Sequence, residues 1–159
     1  MNKLDEIPLI KNVLLNIASV FNKNKINWGV GGSLLLYLNG IETTIGDIDL
    51  IVDVNDITKL EKIVEKYKHI EKPKTDIFLT ERFFSFNIDG VNVDLMIGFK
   101  LLTEKGLYSF PIGDKIVDKS IIIDDTSINL CSLKDWLEAY TAMGRKNKIE
   151  LIKQSELVG

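Results

Sequence analysis

The 159-residue chain carries one cysteine, Cys131, one histidine, His69, and two arginines, Arg82 and Arg145. A lone cysteine excludes an intrachain disulfide and a cysteine-built zinc site, and a lone histidine excludes a multi-histidine metal centre. Cys131 reads as a small apolar residue at a strand end. His69, with no motif around it, reads as a surface residue. The other 18 basic residues are lysines; against 23 acidic residues they leave a net charge of −3. That balance argues against a broad phosphate-tracking surface and leaves room only for a local basic patch. Long apolar runs are also missing, since none approaches the ~18 residues of a membrane span. Asp5 and Glu6 stand where a secretory leader has basic residues, and Lys11, Asn12 and Asn16 interrupt the apolar stretch that follows. A cytoplasmic location is therefore the expectation.

What is present is ordinary in bulk, with 45% apolar and 27% charged residues. The length suits one domain with a real core. No repeat, low-complexity segment or linker divides it. The expected organisation is a single unit over 1–159, with a core at about 8–100 and a hairpin and helices in 101–159.

Apolar residues at helical spacing predict an amphipathic helix over 8–23, opened by Pro8. A short strand over 26–30 stops at Gly31-Gly32, Ser33 stands where a helix N-cap belongs, and a short helix runs to Asn39-Gly40. Residues 41–46 connect to a second strand, 47–52, whose alternation puts Asp47, Asp49 and Ile51 on one face. Asn55 or Asp56 is expected to cap the next helix. The polar stretch 68–80 reads as loop with a short strand at 77–80.

Asp89-Gly90 is a favoured two-residue hairpin turn and fixes a register. Ile88 meets Val91, Phe86 meets Val93 and Phe84 meets Leu95 on an apolar face; Asn87 meets Asn92, Ser85 meets Asp94 and Phe83 meets Met96 on the other. One carboxylate, Asp94, thus stands in an otherwise core-like strand, which is costly unless it is paired or bound. Further on the pattern is loose, with a short strand over 108–112. A second hairpin is predicted around 124–126, then a helix capped by Ser132 with Asp135, and a final helix after Gly144-Arg145.

Two features carry chemistry. The Gly31-Gly32-Ser33 turn can present backbone N–H groups to phosphate oxygens. After thirteen intervening residues comes the pair Asp47 and Asp49, two apart on a strand and so about 7 Å apart along one face. Carboxylates at that spacing can share divalent cations, with magnesium preferred for its oxygen ligands and its affinity for polyphosphate. An aspartate from a neighbouring strand completes such a site, and Asp94 is the candidate.

The chain resembles the nucleotidyltransferase superfamily that shares the DNA polymerase β-like palm. The likeness rests on Val30-Gly31-Gly32-Ser33, Asp47-Ile48-Asp49-Leu50 and Val93-Asp94-Leu95, and covers about residues 8–100. It implies an α+β fold, a palm-like mixed sheet with flanking helices, an added β-hairpin and C-terminal helices. It further implies that Gly31, Gly32 and Ser33 hold the nucleotide phosphates. Asp47, Asp49 and Asp94 would bind one or two Mg2+ ions, and Asp94 would be available as base. The implied reaction moves an NMP from an NTP to a hydroxyl and releases pyrophosphate. Small relatives modify antibiotics, or act on protein or tRNA in toxin–antitoxin pairs, and the acidic balance of this chain suits a cationic small molecule better than RNA. A non-catalytic nucleotide-binding module of the same fold is the competing class. In one respect the chain departs from many relatives, which place arginine just before the first aspartate. Here no basic residue lies between Lys25 and Lys59. The triphosphate charge must be met by metal, backbone amides or distant side chains, with Arg82, Lys100, Arg145, Lys146 and Lys148 as candidates.

Overall fold

The computed structural model describes residues 3–158. A seven-stranded mixed sheet organises them, and a separate two-stranded sheet packs beside it. In chain order the elements are α1 (Pro8–Lys23), β1 (Trp28–Gly31), α2 (Gly32–Leu38), β2 (Ile48–Val52), α3 (Ile57–Val64), β3 (His69–Glu71), β4 (Arg82–Ile88) and β5 (Val91–Ile97). There follow β6 (Lys100–Thr103), β7 (Gly106–Ser109), β8 (Lys119–Ile123), β9 (Thr126–Leu130), α4 (Leu133–Met143) and α5 (Lys146–Gln154). The main sheet runs β3-β4-β5-β2-β1-β9-β8, so the C-terminal hairpin extends the sheet that the N-terminal part begins. The α+β architecture is the expected one.

One face of the sheet is continuous core. Trp28, Val30, Ile48, Leu50, Val52, Val93, Leu95, Phe84 and Phe86 share it by register, and all are buried. Burying each such side chain contributes about 1.5–3 kcal/mol. Helix α1 lies over this face: Phe21 meets Trp28 edge-on at 5.9 Å, and Asn22 Oδ1 accepts the indole N–H of Trp28 at 3.0 Å. Tyr67, just after α3, stacks on Phe86 at 5.1 Å. The Asp89-Gly90 turn has positive φ at both residues, and every pair expected of that hairpin is present.

Local departures from expectation have physical reasons. Ser33 is not a cap: Gly31 occupies that place, and the Ser33 hydroxyl, inside α2, accepts the Gly46 N–H at 3.3 Å. Nor do Asn55 or Asp56 cap a helix with a side chain. Asp53 accepts the Asn55 N–H at 3.1 Å, whereas Asp56 accepts the Asn27 N–H at 2.8 Å, across the fold. The strand expected at 77–80 is only a bridge between Phe78 and Leu101. The real strand is β3, within the predicted loop, because the free edge of β4 offers hydrogen bonds that local polarity conceals. In place of a strand over 108–112, β6 and β7 form a hairpin, and Phe110 turns into the core. The second hairpin turns on two residues, Asp124 and Asp125, both at positive φ. Ser132 caps α4 as expected, accepting the Asp135 N–H at 3.0 Å, and Gly144 ends it in the left-handed region. No described helix is long and apolar enough to cross a membrane.

Candidate active site

The second face of the sheet carries the carboxylates. Parallel pairing of β2 with β5 sets Asp49 beside Asp94. Antiparallel pairing of β1 with β2 sets Gly31 opposite Asp49, and the β4–β5 hairpin sets Ser85 opposite Asp94. A single row therefore crosses the sheet: Gly31, Asp49, Asp94, Ser85. Asp47 precedes β2 on the same face, and the Gly46–Ser33 hydrogen bond holds its approach.

The two glycines serve different ends. At Gly31 a β-carbon would lie 2.1 Å from the Trp136 ring, so this glycine lets α4 close over β1. At Gly32 it would lie 2.1 Å from Asp49 Oδ2, and φ is +60°. Gly32 therefore makes the space that the Asp49 carboxylate fills. Ser33 is buried at 8% exposure beside them. The glycine turn therefore lies directly against Asp49 on this face of the sheet.

Electrostatics confirm the proximity. The Asp49 carboxyl is pushed up to about 7, first by burial, then by the Asp94 and Asp47 charges, with Arg145 and Lys72 opposing. It is deeply surrounded by protein yet still reached by solvent. Asp94 is also raised, by burial first; the Ser85 hydroxyl, which donates to its Oδ1 at 2.8 Å, and Lys72 oppose this, while Asp47 adds to it. Neighbouring negative charge thus adds to burial at both Asp49 and Asp94, which marks this face as short of positive charge. Among the described residues no three such side chains close on a point as a finished metal cage, so the set is open.

Helices α4 and α5 wall one side. Tyr140 is buried against Trp136, and its hydroxyl is raised first by burial and then by Asp49. Lys148 donates to Thr43 Oγ1 at 2.9 Å, tying α5 to the connection before Asp47. Its ammonium is lowered by burial and by neighbouring Arg145, and Asp49 pulls the other way. Of the five basic candidates, Arg145 and Lys148 are the two whose charges act on Asp49. Arg82 is paired with Glu71 and Glu61, and Lys100 with Glu81. Lys146 is exposed at the start of α5. Sequence reasoning missed Lys72, Thr43 and Tyr140. Lys72 became visible only with β3, and the other two depend on how α5 and α4 dock. Cys131 is buried, and its thiol is pushed up to about 12 by that burial; His69 is exposed, edge-on to Phe84.

No family model matches the chain, and no curated protein matches it significantly. Solved structures do. A Thermotoga maritima protein, assigned provisionally as a nucleotidyltransferase, is 26% identical, with a TM-score of 0.72 and 92% of each chain covered. The lincosamide antibiotic adenylyltransferase LnuA, in its lincomycin-bound form, is 14% identical, with a TM-score of 0.58 over 88% of this chain and 94% of its own. The antibiotic-resistance factor ANT(2'')-Ia is 13% identical, with a TM-score of 0.61 over 92% of this chain and 84% of its own. At their identity the last two speak to fold alone. Over nearly its whole length, the chain is a small protein of the nucleotidyltransferase fold, resembling the antibiotic nucleotidyltransferases in architecture.

Proposed function

We propose that the protein is a metal-dependent nucleotidyltransferase that moves an NMP from an NTP to a hydroxyl acceptor. The observation that carries this reading is the row in which Asp49 fills the space beside Gly32 and pairs with Asp94, with the Asp47 charge close enough to act on both. Carboxylates gathered on one sheet face fit an oxygen-seeking dication, and Asp47, Asp49 and Asp94 would hold Mg2+. When bound, that ion supplies positive charge for the polyphosphate and for the pyrophosphate that leaves.

The chain's own groups do the rest. Gly32 and Ser33 lie against Asp49, where backbone N–H groups can meet phosphate oxygens. Arg145 and Lys148, facing Asp49 from α5, supply the charge missing before Asp47. In the transfer, an acceptor oxygen bonds to the α-phosphorus, the bond from that phosphorus to the α–β bridging oxygen breaks, and pyrophosphate leaves with the electron pair. The acceptor proton passes to a carboxylate, and Asp94, on the Ser85 side away from α5, is the group assigned to take it.

Transfer of label from α-labelled NTPs into a cell extract tests the reading. Label should appear on an acceptor with Mg2+ present and vanish with Asp47→Asn plus Asp49→Asn. A Mg2+-dependent thermal shift with ATP that survives those substitutions would overturn the site. ATP binding without transfer to any acceptor would favour the non-catalytic module.

A further inference from the structure

The carboxylate face does not end at Asp94. Register carries the row from Asp94 to Ser85 and on to Ile70 of the edge strand β3. At the Gly31 end Trp136 seals this face, whereas Ile70 is 71% exposed. Side chains two apart on a strand share a face, so Lys72, which continues the pairing of β3, lies on the side of Asp94, and Lys68 immediately precedes the strand. Lys72 prolongs the β3–β4 pairing by donating its N–H to Phe83 O at 2.8 Å, and its Nζ lies 4.7 Å from the Phe83 ring centre. Phe83 pairs with Met96 two residues along from Ser85–Asp94, so its ring belongs to the same face.

The cations here are not equally engaged. Lys74 is paired with Glu81, and Arg82 with Glu71 and Glu61. Among the described residues Lys68 and Lys72 make no ion pair, and the charge of Lys72 acts on Asp94 and Asp49. Arg145 and Lys148 approach Asp49 from the other wall. Under the transfer reading that wall takes the polyphosphate, and the Asp94 side is left for the acceptor.

We propose that the shelf of Ile70 and Phe83, flanked by Lys68 and Lys72 beside Asp94, binds the acceptor. The acceptor it fits is a nucleotide, free or at the end of a strand. This rests on the transfer reading above. An exposed apolar side chain and an aromatic ring offer a surface on which a base stacks, and flanking lysines meet its phosphate. A polycation would be repelled by the same two lysines. The net acidic balance pointed toward a cationic acceptor, but net charge sums the whole surface and an acceptor meets only the part beside Asp94. Residues 59–74 hold six lysines against three glutamates.

The test is anisotropy of a tagged short single-stranded RNA added to the full chain, with the donor site filled by Mg2+ and α,β-methylene-ATP. RNA binding, or binding of tagged AMP under the same conditions, is expected. Lys72→Glu should weaken it roughly tenfold or more, with the salt slope of RNA binding reduced by about one. Lys72→Arg should retain most of it, and Lys119→Glu on the far edge strand should change nothing. RNA without AMP identifies a strand end; AMP alone identifies a free nucleotide. Binding of neither overturns the proposal, as does tighter binding of tobramycin by Lys72→Glu or an unchanged affinity in that variant. Thermal shift with Mg2+–ATP on the same samples separates the two ideas. Its absence in the wild type sinks the transfer reading, whereas its presence without RNA or AMP binding sinks only the acceptor.

Discussion

The Asp49 carboxylate occupies the space where a β-carbon on Gly32 would stand, 2.1 Å from its Oδ2. Gly32→Ala should therefore do two things at once. A left-handed φ of +60° costs a side chain about 1–2 kcal/mol, and the new methyl must push Asp49 out of its row. Denaturant melts should show that loss, and label transfer should fall to background. Gly40→Ala is the control: φ is +85° but a β-carbon there meets nothing within 4 Å. It should lose similar stability and keep its activity.

Asp49 also makes stability depend on pH. Its folded value is about 7 against about 4 in the unfolded chain, so between those values the folded state holds a proton that the unfolded state has lost. Stability from this group is fully present below pH 4 and is lost as the pH rises through 7, at most on the order of 1 kcal/mol per pH unit. Melts of the metal-free protein across that window should show the decline. Asp49→Asn should flatten it, and Mg2+ should do the same for the wild type near pH 7.5.

Lys148 and Thr43 form the clasp between α5 and the approach to Asp47. Lys148→Met removes both the clasp and, under the proposed transfer, a cation available to the polyphosphate. A charge-assisted contact is worth about 1.5–3 kcal/mol, which is roughly tenfold or more in the KM for NTP. Thr43→Val breaks only the clasp and should raise KM less. Equal effects would mean that Lys148 acts through Thr43 alone.

Asp53 is buried like Asp94 but has an ordinary structural task, accepting from Asn55 N and Asn27 Nδ2. Asp53→Ala should destabilise the fold by about 1–2 kcal/mol. Activity per folded molecule should stay the same, and pairing a melt with an active-site titration checks both.

The placement of the carboxylates was largely legible because it follows from local features. Asp89-Gly90 dictates which residue faces Asp94, and alternation dictates which face Asp49 takes. Two things were hidden. Strand β3 is polar and three residues long, and it exists because β4 has a free edge; Lys72 could not be placed without it. The role of Ser33 was misread because its hydroxyl serves Gly46, thirteen residues on, and not its own helix. Pairing that crosses the chain leaves no periodic trace.

The parallel pairing of β2 with β5 has a consequence for assembly. The β4–β5 hairpin can close alone, around two residues, but Asp94 reaches Asp49 only when β5 docks on a strand some forty residues earlier. Contacts that distant form slowly, because the intervening chain must first lose its freedom. A register slip of one residue in that step would turn Asp94 toward Trp28 and the core. Docking of β5 on β2, and not closure of the Asp89-Gly90 turn, is therefore the step that brings Asp94 beside Asp49.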